Sequence, residues 1–195
     1  MTTMNKIKFN AKNYLDTHKN IFDSLDLDKA NECIEIIKDK FHQESQIFTC
    51  GNGGSAHTAN HMITDWNKMI TLATGKLFRG YPLAANTGII TAYANDLSYD
   101  DVFSGQLNSL MKPEDLLIAV SGSGNSPNVL KAAEYANSIG ADTLAIVGYD
   151  GGELINLCKY SFHVPIFDMQ ICEDIHLMFN HMVMKELCGN DIHIK

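Results

Sequence analysis

The chain has 195 residues, 45% of them apolar, and a formal charge of −8. That length fills one hydrophobic core and is short for two. The negative charge argues against a nucleic-acid surface, and no apolar run approaches the roughly 20 residues that a membrane span requires. The five cysteines, Cys33, Cys50, Cys158, Cys172 and Cys188, are an odd set without a C-x-x-C pair. With no charged-then-apolar signal segment at the start, they lead to the expectation of a reduced, cytoplasmic protein.

Apolar positions recur at helical spacing over about 9–25 and 27–43, as in Ile21 and Leu25 and then Ala30, Cys33, Ile34, Ile37 and Phe41. This predicts two amphipathic helices before the first strand. Strand-like runs follow over 46–50, 82–86, 115–120, 143–147 and 161–166, separated by helical stretches. Such alternation predicts an α/β three-layer sandwich around a central five-stranded parallel sheet covered on both faces. No repeat, low-complexity segment or proline-rich linker interrupts it. Residues 1–44 are expected to form a helical arm for oligomerisation, and 45–195 the α/β unit, within one domain.

Two predicted strands run into loops of glycine and hydroxyl side chains: Cys50-Gly51-Asn52-Gly53-Gly54-Ser55 and Ser121-Gly122-Ser123-Gly124-Asn125-Ser126. Glycines let the backbone turn tightly and offer its N–H groups, serines add donors, and the following helix points its positive end at the loop. That is a site for an anion, most often phosphate. Neither loop carries the Gly-Lys-Ser/Thr of a nucleotide phosphate loop or a clean G-x-G-x-x-G, so the ligand expected is a small phosphorylated molecule. Such ligands bind beyond the carboxyl ends of parallel strands, where both loops fall.

The helix after the first loop places His61 and Asp65 four apart on one face, a pair that binds a metal, moves protons, or is a surface pair without function. Near the C-terminus, Glu173-Asp174-Ile175-His176-Leu177-Met178-Phe179-Asn180-His181 supplies a second such set. Histidines on helices are also common as satisfied core or surface residues.

Gly51 to Ser55, His61, Asn95-Asp96, Ser121 to Ser126 and Glu173 through His181, in this order, resemble the sugar isomerase (SIS) fold, and within it the phosphoheptose (sedoheptulose 7-phosphate) isomerase family. The resemblance runs from the N-terminal helices nearly to the end. It implies a flavodoxin-like sheet and a homotetramer with active sites between subunits. The activity implied is conversion of sedoheptulose 7-phosphate to its aldose phosphate through an enediol, opening bacterial heptose synthesis for lipopolysaccharide or capsule. Carried onto this sequence, Asn52, Gly53, Gly54, Ser55, Ser121, Gly122, Ser123 and Ser126 hold the substrate, largely by its phosphate. Asn95 and Asp96 touch sugar hydroxyls, and Asp65 and Glu173 also contact the substrate. Asp65 and His181 are the catalytic pair, and His61, Asp65, Glu173 and His181 match the positions that bind one zinc ion per subunit. Since Glu173 and His181 are eight residues apart, roughly 12 Å along a helix, both reach one ion only by long reach, a helix break or two subunits.

The sequence departs from that pattern in places: Asp65 stands where glutamate is usual, Glu173 where glutamine is, Gly122 for a threonine, Gln170 for an aspartate, and Trp66-Asn67-Lys68-Met69 where leucine, glycine and arginine commonly follow the acid. A non-catalytic SIS protein that associates with the replication initiator is one rival, resembled by Gly148 to Leu154, but it loses the residues matching Asp65 and His181. An isomerase of another sugar phosphate is a second rival. A sugar-phosphate-sensing regulator is a third, and it needs a basic DNA-binding segment that is not evident. Met62, Met69, Met178, Met182 and Met184 read as packing. Trp66 reads as core or interface and Cys50 as a buried thiol. His57 is expected to matter less than His181.

Overall fold

A computed structural model describes residues 10–189. Two helices come first, α1 (Ala11–Phe22) and α2 (Leu27–His42), each opened by a side-chain cap: Asn10 accepts from the Asn13 N–H and Asp26 from the Lys29 N–H. Such caps satisfy N–H groups that a helix start leaves unpaired. Phe9, expected at the head of the first helix, lies outside the described residues. The second helix ends within one residue of the expected boundary.

The five strands are β1 (Ile47–Cys50), β2 (Gly80–Pro82), β3 (Leu116–Ser121), β4 (Asp142–Val147) and β5 (Tyr160–His163). They form one sheet in the order β2-β1-β3-β4-β5, all parallel, with Ile47 opposite Leu116 and Leu144 opposite Tyr160. Every residue of β1 and β3 is buried, as continuous apolar runs demand when both faces are covered. Side-chain alternation divides them. Ile47, Ile118, Val120 and Ile146 face a core shared with α1, α2, α3 (Gly53–Asp65) and α9 (Met169–Cys188). Phe48, Leu117, Ala119 and Val147 face the opposite core, covered by α5 (Thr87–Asp96), α6 (Ser104–Leu110), α7 (Pro127–Ser138) and the short α8 (Leu154–Leu157). The expected three-layer sandwich is therefore the observed one.

Two strands differ from the sequence expectation. β2 lies at Gly80–Pro82 and not over 82–86, because one further ladder bond, Leu83 N–H to Thr49 O at 2.9 Å, ends the pairing. Asn86 then caps α5 by accepting from the Ile89 N–H. β5 stops at His163: Val164 still donates to Val147 O, but Ile166 N–H turns back to Val164 O. The helix α3 also hides a feature without a periodic signature. It passes at Asp65 into a π-helical turn, Trp66–Ile70, before α4 (Thr71–Thr74). The wider turn keeps both Trp66 and Ile70 buried.

The strand order places the reversal of chain direction across the sheet between β1 and β3. Ligands of doubly wound sheets bind in the crevice at such a point, and the two serine loops leave the carboxyl ends of these same neighbouring strands. Among the described residues no helix is long and apolar enough to cross a membrane.

Candidate active site

Between the two loops lies a cavity of about 300 Å³. Its donors begin with the start of α3. Asn52 sits at the cap position, yet its side chain makes no bond to the helix. It is instead held sideways: Nδ2 donates to Asn128 Oδ1 at 2.8 Å, while Oδ1 accepts from Asn128 Nδ2 at 2.9 Å and from the Tyr99 hydroxyl at 2.8 Å. The N–H groups that open α3 are thus left without a side-chain acceptor. The start of α7 repeats the arrangement, with Ser126 making no cap bond and Pro127 in the first turn, where a missing N–H costs nothing. Two helix N-termini without a side-chain cap, their positive dipole ends turned to one cavity, make an anion site. Ser121 steadies the second loop by accepting from the Gly124 N–H at 3.1 Å.

One negative charge shares this space. A Cβ on Gly54 would lie 2.4 Å from Glu173 Oε1, so the glycine is what lets the Glu173 carboxylate rest against the first turn of α3. No lysine or arginine lines the cavity. A Cβ on Gly122 would meet Met169 Sδ at 2.7 Å, so the thioether occupies the room that a side chain at position 122 would need.

A second cluster forms further along the same two helices. His61 Nε2 lies 3.2 Å from Asp65 Oδ2, the expected i,i+4 pair, and His181 Nε2 of α9 lies 3.6 Å from the same oxygen. The imidazoles are edge-on to each other, with centroids 5.7 Å apart. Both are half-exposed at 44% and 47%, whereas Asp65 is 21% exposed. Donor atoms of all three residues fall within 4.8 Å of one another. Ligands of a tetrahedral zinc ion sit about 3.4 Å apart, so these spacings and the two-nitrogen, one-oxygen set fit that ion and leave a position for water or substrate. Asp65 Oδ2 also accepts a hydrogen bond from Asn180 Nδ2 at 3.0 Å.

Of the residues singled out from sequence, Asn52, Gly53, Gly54, Ser55, Ser121, Gly122, Ser123, Ser126 and Glu173 all line the cavity. His61, Asp65 and His181 come together as the second cluster. Glu173, expected as a fourth ligand, is not brought to it, since helical rise puts it about 12 Å from His181 and its carboxylate lies at Gly54. Asn95 and Asp96, expected at the sugar, close the end of α5, where Asn95 Nδ2 donates to Asp96 Oδ1 at 2.8 Å, and neither lines the cavity between the loops. Cys50 is buried, and burial pushes its thiol up, as expected of an inert cysteine. Trp66 is fully buried core. Sequence reasoning did not single out Asn128, Tyr99 or Met169, which sit in no motif, and it gave no role to Asn180, which lies inside the Glu173-to-His181 stretch.

The SIS domain family model matches residues 13–148. The phosphoheptose isomerase of Clostridium acetobutylicum is 31% identical over 193 residues, covering 96% of this chain and 98% of that one. That of Helicobacter pylori strain HPAG1 is 38% identical over 140 residues, 72% of each chain. Among solved structures, the phosphoheptose isomerase of Neisseria gonorrhoeae superposes with a TM-score of 0.83 at 26% identity, covering 91% of this chain and 95% of its own. The enzyme of Francisella tularensis, at 22% identity and a TM-score of 0.84 over 96% and 98%, shares the fold. With the two serine loops and the histidine and aspartate cluster on one scaffold, the chain belongs to the SIS-domain family and, within it, to the phosphoheptose isomerases.

Proposed function

We propose that the protein is an aldose-ketose isomerase that converts sedoheptulose 7-phosphate to D-glycero-D-manno-heptose 7-phosphate. The observation that carries this reading is the pairing, in a chain 31% identical to a phosphoheptose isomerase, of a cavity at two uncapped helix N-termini with a histidine and aspartate cluster on the same two helices. The cavity residues hold the phosphate through backbone N–H groups and the Ser55, Ser121, Ser123 and Ser126 hydroxyls. The reaction moves a proton from C1 to C2 through an enediol, while a proton passes from O1 to O2. Asp65 has its contacts on Oδ2, so Oδ1 is the atom that takes the proton from C1 and returns it to C2. His181 Nε2 passes the proton between the oxygens.

His61, Asp65 and His181 are the residues that would hold zinc. Bound there, it would supply a Lewis acid for charge on the two oxygens, the task His181 performs without it. The reading includes a homotetramer with sites shared between subunits. Support comes from the half-exposed imidazoles and from Asn95, Asp96 and Glu173 standing apart from the cluster within one chain. The protein works in the cytoplasm, at the start of heptose synthesis for a surface polysaccharide. Retention of both Asp65 and His181 supports catalysis over a binding role.

The test is turnover of sedoheptulose 7-phosphate by purified protein, with and without zinc, followed by NMR and compared with Asp65→Ala and His181→Ala. Aldose product that both variants fail to form is the expected result. Folded protein that binds sugar phosphates and yields none overturns the reading.

A further inference from the structure

Asn180 is fully buried on α9, one residue before His181. Its two polar ends are used differently. The backbone carbonyl accepts from Trp66 Nε1 at 3.3 Å, a bond that does not depend on the side chain. The side-chain Nδ2 donates to Asp65 Oδ2 at 3.0 Å, and the side-chain Oδ1 is buried without a hydrogen-bond partner. A buried acceptor left unpaired costs stability. Phe179, the preceding residue, and Val183, three positions on, are both apolar core, so a leucine at 180 would fit the surroundings without that cost. What leucine lacks is the donor to Asp65.

That donor matters because of where it acts. Asp65 Oδ2 faces His61 Nε2 at 3.2 Å and His181 Nε2 at 3.6 Å, both on half-exposed rings. Asn180 is the one fully buried partner of the carboxylate among the described residues, and it approaches from the core side, beside the Trp66 indole. Resting on the reading of Asp65 as the residue that moves the carbon-bound proton, we propose that Asn180 is a positioning residue. It pins Oδ2 between the two imidazoles and thereby turns Oδ1 toward the reacting carbons. Groups that orient a ligand or a base from behind typically contribute a factor of about 10 to 100 in metal affinity or rate.

The experiment compares the wild type with Asn180→Leu, which keeps bulk and removes the donor. Turnover of sedoheptulose 7-phosphate and affinity for zinc alone, read by competition with a chromophoric chelator, are both measured. The expected result is a kcat lower by about 10- to 100-fold with KM unchanged, because the phosphate is held elsewhere, and a zinc affinity weaker by about tenfold. In an Asp65→Ala background, Asn180→Leu is expected to change neither quantity further, the signature of a residue acting through Asp65. Unchanged kcat and zinc affinity in folded Asn180→Leu, or an equal loss in the Asp65→Ala background, overturns the proposal. Asn180→Ala is the second variant if leucine prevents folding. It also lacks the donor to Oδ2 and is expected to lower kcat by a similar factor, and full kcat in it overturns the proposal as well. A wild type inactive on this sugar phosphate sinks the isomerase reading alone, and zinc affinity then decides the role of Asn180. A wild type that neither turns over nor binds zinc removes the role of both residues.

Discussion

At the carboxyl edge of the sheet the chain offers backbone N–H groups, whereas some ten residues further along α3 it presents side chains. The cavity between the serine loops is made of helix starts whose N–H groups have no cap, kept open by Asn52 being held sideways by Asn128 and Tyr99. Such a site is fixed by strand order and cannot be moved by one substitution. The His61, Asp65 and His181 cluster is built from three side chains on two helices, half-exposed and steadied by one buried amide. On the proposed mechanism the first region anchors the substrate by affinity and the second sets the rate. Substitutions in the two should therefore separate KM from kcat.

The sharpest break between the two regions comes from Asp65→Ala and His181→Ala. Each removes a group to which the proposed mechanism assigns a proton transfer, and kcat should fall by about a thousandfold with little change in KM, measured by NMR-monitored turnover. A KM effect of similar size would merge the regions and defeat the comparison.

The next effect tests the helix that joins them. His176 is fully buried on α9 between Glu173 and Asn180, neither ring nitrogen has a hydrogen-bond partner, and burial pulls its pKa down to about 4. The folded state therefore refuses a proton that the unfolded chain accepts below about 6.5. Stability is full above that pH and falls as the pH drops from 6.5 to 4, by up to about 3 kcal/mol. Thermal melting of the wild type against His176→Leu across this range should show the variant losing less. Parallel curves would assign the acid sensitivity elsewhere.

Within the cavity, Ser55→Ala removes one hydroxyl donor to a charged ligand and should raise KM about tenfold with kcat unchanged. Glu173→Gln should act in the opposite direction and more weakly. Its carboxylate rests against the start of α3, where a phosphate would sit nearby, and no cation lines the cavity. Neutralising it should lower KM about threefold, more at low salt than at high, since screening weakens the repulsion it removes. A higher KM would mean that Glu173 holds the sugar through hydrogen bonds worth more than the repulsion.

Much of this was legible in advance for a local reason. Strand-loop-helix segments declare themselves by apolar runs followed by glycine and serine, and nine of the residues read from the loops and from Glu173 line one cavity. The i,i+4 spacing of His61 and Asp65 needed only helical geometry. The residues that escaped are those whose role depends on contacts distant in sequence. Asn180 meets Asp65 across 115 positions, and Asn128 meets Asn52 across 76. An asparagine in a core stripe carries no periodic mark of such a partner. The strand expected over 82–86 was misplaced because apolar composition does not show where a ladder ends and a cap begins.

The alternation of strands and helices, the parallel sheet, the two glycine- and serine-rich loops and the residue types available for proton transfer were all written in local sequence. All of these follow from propensity and spacing along a few neighbouring positions. It took the tertiary packing to place α3 and α9 side by side, to bring His181 to His61 while Glu173 lies in the cavity between the loops, and to set the Asn180 amide on Asp65. Those outcomes rest on helix packing against a common sheet face and on the π-helical turn after Asp65, which set which side chains meet and are written in no single segment.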